Sequence, residues 1–111
     1  MAKFVKDEVV VIPFPFSDLS GSKRCPALVL ADLPGNDIVL CQITSQSSPK
    51  DLFAIPLEKL DFKTGSLPMA SNIRPNRIFT ADKNLIVKSS GILSESVHRA
   101  VFDAVVDIIK P

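Results

Sequence analysis

The segment ALVLADLPGNDIVLCQIT, Ala27 to Thr44, decides the fold, because it sets two short apolar runs on either side of turn chemistry. Ala27-Leu28-Val29-Leu30 reads as a continuous apolar strand, and Ile38 to Thr44 as a returning strand. Proline then glycine, Pro34 and Gly35, stand between them. That pattern is a β-hairpin. With the turn centred between Pro34 and Gly35, cross-strand pairing puts Cys25 roughly opposite Thr44, and a slip of one residue would turn every side chain to the other face. The end of the preceding polar loop and the segment Thr44-Ser45-Gln46 should therefore be neighbours.

Working outward, Val9 to Ile12 is β-branched throughout. Pro13 then withholds a donor, so this strand should end there or lie at a sheet edge. Phe14 and Phe16 alternate around Pro15 as in an extended segment, and Ser17 to Lys23 is a polar, glycine-containing loop. Beyond the hairpin, residues 45–50 read as a loop and Leu52 to Leu57 as a strand. A charged turn follows through Lys59, Asp61 and Lys63 to Gly65. Ser71 to Arg74 is expected to be a short strand stopped by Pro75, with Arg77 to Thr80 a separate extended piece. The end is helical, from about Glu95 to Ile109: Ser94 suits an N-cap, and Val97, Val101, Ala104, Val105 and Ile108 recur at helical spacing. Phe102 and Ile109 widen that stripe, so the helix must lie on the sheet or against a second copy. Several short strands and one closing helix predict a mainly β, β-rich α+β fold, a small, partly closed antiparallel barrel with a C-terminal helix.

The chain of 111 residues suits one domain, 1–111, and no apolar run approaches the roughly 20 residues of a spanning helix. No signal-peptide pattern opens it, so a soluble, cytoplasmic protein without membrane attachment is expected. The two cysteines, Cys25 and Cys41, lie outside any C-x-x-C spacing and are expected to be reduced and buried. His98 is the single histidine, which leaves no partner for a metal site and no Ser-His-acid or Cys-His set. It reads as a solvated helix residue, and no metal or cofactor is expected. A net charge of +1 is weak support for nucleic-acid binding. Any such surface would have to be local, at Lys23 with Arg24, Arg74 with Arg77, or Lys83 with Lys88. Carboxylates are scattered and form no recognisable pair.

Read by residues alone, the chain is a small soluble β-rich domain. Four stretches carry a resemblance. DEVVVIPFPFSDLSGSKRCPALVL, CQITSQ, SNIRPNRIFTADKNLI and SGILSESVHRAVFDAVVDII resemble, in order and over essentially the whole chain, the conserved segments of the MazF/PemK/Kid family of toxins. That resemblance implies an SH3-like barrel with a helix, usually a homodimer, bound by an antitoxin through a disordered C-terminal tail. It also implies metal-independent cleavage of single-stranded mRNA through the substrate's own 2′-hydroxyl. Thr44 and Ser45 fall on the family's hydroxyl positions. Arg74 matches an arginine used in cleavage by the Kid branch, and Asn76 stands where that branch has an aspartate. Gln46 and Lys23 would contact substrate nearby, and guanidinium suits phosphate because its planar fork donates two hydrogen bonds at once.

One departure stands out. The family places arginine immediately before the proline of PALV, whereas here that position is Cys25 and Arg24 lies one place earlier. In an extended chain that shift sends the guanidinium to the opposite face unless a bulge or loop geometry re-aims it. The resemblance thus leaves three readings: an active RNA-cleaving toxin using Arg24, Thr44 and Arg74; a homologue that binds antitoxin or nucleic acid without turnover; and, from a related toxin family with the same barrel, an inhibitor of DNA gyrase. Asp7-Glu8 also replaces the family's Gly-Asp opening.

Overall fold

The computed structural model describes residues 3–13, 24–45 and 52–110. Phe14, Phe16, Lys23 and Gln46 lie outside the described residues. Seven strands form one antiparallel sheet: β1 (Glu8–Pro13), β2 (Arg24–Asp32), β3 (Asp37–Thr44), β4 (Ile55–Leu57), β5 (Phe62–Gly65), β6 (Ser71–Asp82) and β7 (Lys88–Leu93), followed by helix α1 (Glu95–Ile109). The order across the sheet is β4-β6-β3-β2-β1-β7-β5. Its two edges, β4 and β5, are consecutive in sequence, joined only by Glu58–Asp61. Such a link reaches at most about 18 Å, whereas a flat sheet of this size would be about 29 Å across. The sheet must therefore curl, and it forms a half-barrel.

The β2–β3 hairpin has the register expected of it, with Ala27 opposite Gln42, Leu28 opposite Cys41 and Val29 opposite Leu40. At its turn Lys83 Nζ lies 2.7 Å from Asp32 Oδ1 and donates to the carbonyls of Leu33 and Gly35 at 2.7 and 2.9 Å. Lys83 is thus a structural tie at the far end of the hairpin, not part of a surface patch with Lys88. The uninterrupted apolar runs are explained by burial on both faces. Val9, Leu28, Cys41, Ile43 and Ile73 pack with Val97 and Val101 of α1, while Val10, Ile12, Ala27, Val29, Ile38, Leu40 and Phe79 form a second cluster. The helix lies on the sheet with the bounds expected, although the Ser94 hydroxyl meets Ser96 Oγ at 3.1 Å rather than capping the first turn.

Strand β1 ends at Pro13 as expected, with Pro13 paired to Arg24 as its last residue. Three expectations need correction. Only Ile55–Leu57 of the Leu52–Leu57 run is strand, and Leu52 and Phe53 are exposed. The charged turn is shorter than expected, because Phe62–Gly65 pairs with β7, a strand that carries little apolar signal. Most important for the site, Pro75 does not break β6. Between the pairs Ile43–Ile73 and Cys41–Ile78, four residues, Arg74 to Arg77, stand opposite the single Gln42. Pro75 is buried in this bulge, where its missing N–H costs no ladder bond, and the Arg74 carbonyl accepts from Cys41 Sγ at 2.9 Å.

Candidate functional site

A cleft of about 800 Å³ opens where the bulge of β6 faces the first residues of β2 and the end of β3. Strand β2 contributes Arg24, Cys25 and Pro26, β3 contributes Gln42, Ile43 and Thr44 with Ser45 just beyond its end, and β6 contributes Ser71, Arg74 and Arg77. The recorded β2–β3 pairing reaches Ala27–Gln42, and beyond it both Cys25 and Thr44 line the cleft. Arg24, Thr44, Ser45 and Arg74, far apart in sequence, therefore share one cavity. Asn76 is exposed and does not line it.

The displacement of arginine from position 25 to 24 has a structural answer. Arg24 opens β2, pairs with Pro13 at the sheet's margin, and lines the cleft together with Cys25. At the end of a strand the alternation of faces no longer binds the side chain to the opposite surface. The bulge does the same on the other wall. Arg74 and Arg77, three apart, would face opposite ways in a regular strand, yet both line the cleft. Lys88 of β7 completes a set of four cations. Among the described residues no carboxylate and no histidine line the cavity, and against a chain net charge of only +1 the sequence outside these four cations is net acidic. Composition concealed this local charge. In the sequence Arg77 and Lys88 stand out only as members of the basic pairs Arg74 with Arg77 and Lys83 with Lys88, and Gln42 carries no signal.

Cys41 lies under the site. Burial pushes its thiol up to about 12, so it is a neutral donor to the Arg74 carbonyl rather than a nucleophile. His98 is not simply solvated: its Nδ1 meets the carboxylate of Asp7, and neither residue lines the cleft. Asp7 has a φ of 72°, a left-handed conformation that favours glycine. Among the described residues no group of His, Cys, Asp or Glu side chains has the arrangement of a metal site, and no helix is long and apolar enough to cross a membrane.

The model of a family described as PemK-like, MazF-like toxin of type II toxin-antitoxin system matches residues 6–109. Among solved structures, an endoribonuclease in complex with its cognate antitoxin from a mycobacterial species superposes with a TM-score of 0.76 at 12% identity, covering 98% of each chain. The Mycobacterium tuberculosis toxin MazF-mt6 gives 0.72 at 14% identity, over 92% of this chain and 95% of that one. MazF from Deinococcus radiodurans gives 0.72 at 16%, over 96% of each. At these identities the likeness is one of fold. No curated protein sequence matches the chain significantly.

Proposed function

Since the chain belongs to the family of PemK-like, MazF-like toxins of type II toxin-antitoxin systems, we propose that it is an endoribonuclease that cleaves single-stranded RNA in the cleft between β2, β3 and β6. The observation that carries this is the convergence of Arg24, Arg74, Thr44 and Ser45 in one cavity that no carboxylate lines among the described residues. In the reaction the ribose 2′-oxygen attacks the adjacent phosphorus and the 5′-oxygen leaves, giving a 2′,3′-cyclic phosphate and a 5′-hydroxyl. Negative charge grows on the equatorial oxygens of the phosphorane. Fixed guanidinium donors aimed at those oxygens stabilise that charge more than the ground state. Thr44 and Ser45 hydroxyls orient the phosphate, and the 2′-hydroxyl proton passes to solvent or to a phosphate oxygen, from which the departing 5′-oxygen takes a proton in turn, because no imidazole or carboxylate lines the cavity among the described residues.

The partner that restrains such a toxin is an antitoxin, by analogy with the antitoxin-bound mycobacterial endoribonuclease, and a homodimer in the cytoplasm is the expected working form. The test is end-group analysis of a long unstructured RNA incubated with the protein in EDTA. Fragments bearing 2′,3′-cyclic phosphate and 5′-hydroxyl ends are expected; 5′-phosphate ends, or loss of cutting on chelation, would refute the mechanism.

The departure at Cys25 favours a second reading, in which the protein keeps the antitoxin surface but has lost turnover with the arginine before Pro26. A Cys25→Arg variant separates the two. Under the first reading wild type already cleaves; under the second only the variant does.

A further inference from the structure

The chemistry proposed above uses Arg24, Thr44 and Arg74, which leaves two cations of the cleft without a role. Arg77 and Lys88 are both exposed, both line the cavity, and neither has a carboxylate partner among the described residues. They stand at opposite ends of a row of five adjacent strands, β6-β3-β2-β1-β7. Lys88 pairs with Val11 and Val11 with Pro26, the neighbouring pair Ala27–Gln42 joins β2 to β3, and the bulge from Arg74 to Arg77 stands opposite Gln42, so the row crosses the sheet. Four strand intervals measure about 19 Å along the sheet, a span on the order of three to five nucleotides of single strand.

We propose that the cleft is a track crossed at right angles to the strands by an extended single-stranded RNA, with Arg77 and Lys88 holding phosphates on either side of the scissile one. This rests on the ribonuclease reading for the position of the scissile phosphate. The bulge explains why a second arginine is present: it turns Arg77 into the cleft at a position from which a regular strand would send it away. On β7, Lys88 and Ser90 alternate toward the same cavity.

An apolar shelf favours a nucleic acid over an acidic peptide as the occupant. Leu67, Pro68 and Met69 edge the cavity, with Met69 64% exposed, and Val87 adds a further 44% exposed apolar side chain. The Ser71 hydroxyl donates to the Met69 carbonyl at 3.0 Å and fixes the shelf relative to β6. Cations along a row with an apolar border match a strand that carries charge on its backbone and flat apolar faces on its bases. Among the described residues no aromatic ring lines the cavity, and backbone charge should dominate binding.

The test measures binding of a fluorescein-labelled 2′-O-methyl oligonucleotide of mixed sequence, which cannot be cleaved, to wild type, Arg77→Ala and Lys88→Ala over a range of salt. The log–log slope of affinity against salt should fall by about 0.7 in each variant and by about 1.4 in the double variant. With cleavable RNA, KM should rise in both while kcat stays within about twofold, in contrast to Arg74→Ala, which lowers kcat. Unchanged salt slopes would overturn the proposal, as would a loss of polyglutamate binding with oligonucleotide binding intact. If wild type cleaves no RNA, the ribonuclease reading fails, and the salt slopes still decide whether the track binds a nucleic-acid strand.

Discussion

At the scale of single residues, two side chains do work that their neighbours in sequence do not announce. Asp7 holds a left-handed backbone conformation, with φ of 72°, at a strain of roughly 1–2 kcal/mol relative to glycine. Its backbone joins β2 and β7 through Asp7 N to Val29 O at 3.1 Å and Leu93 N to Asp7 O at 2.8 Å, and its carboxylate meets His98. That pair is partly exposed and is worth at most about 1 kcal/mol. Asp7→Gly relieves strain while losing the pair, so its stability to urea should stay within about 0.5 kcal/mol of wild type, whereas Asp7→Ala should lose about 1 kcal/mol more than Asp7→Gly. Equal losses would mean that the conformation is unstrained. Cys41 makes a pH prediction. Its thiol, raised from 9.0 to about 12 by burial, is neutral in the folded state and ionises more readily in the unfolded chain. Its contribution to stability is therefore complete below pH 9 and is lost as pH rises through about 12. Cys41→Val should show a flatter decline over that interval. A thiol reagent at pH 8 should label Cys25, on the cleft wall, and spare Cys41 until the protein unfolds; early labelling of Cys41 would contradict its burial.

At the scale of elements, legibility followed periodicity. The β2–β3 hairpin and α1 could be read because apolar runs, turn residues and helical spacing agreed locally. Strand β7 could not, since Lys88, Ser89, Ser90 and Gly91 carry no apolar alternation and are held by neighbours distant in sequence. The break expected at Pro75 was wrong for a related reason: proline forbids a ladder bond only where a partner would accept one, and the bulge opposite Gln42 removes that partner. The same event limited the reading of the site. Family motifs indicated Arg24, Thr44 and Arg74, but only the bulge shows that Arg77 shares their cavity. A backbone contact between β5 and β7 gives the element-scale prediction. Gly65 and Gly91 are paired, and a Cβ on Gly91 would lie 2.2 Å from the Thr64 carbonyl. Gly91→Ala should therefore cost about 2 kcal/mol or more and raise amide exchange in β5 first. An unchanged melting temperature would show that β5 is not held in this way.

At the scale of the whole molecule, a curled sheet with the helix against one apolar cluster leaves a cationic cleft lined from β2, β3, β6 and β7. Net charge is a poor guide here, because four cations gathered by folding from β2, β6 and β7 are offset by acids elsewhere. The central claim is that those guanidiniums stabilise a phosphorane. The most direct test is single-turnover cleavage of an end-labelled unstructured RNA in EDTA by wild type and Arg74→Ala, with folding of the variant verified by its melting curve. A rate loss on the order of a hundredfold or more at saturating protein is the expected result; cleavage by Arg74→Ala at the wild-type rate would contradict the account.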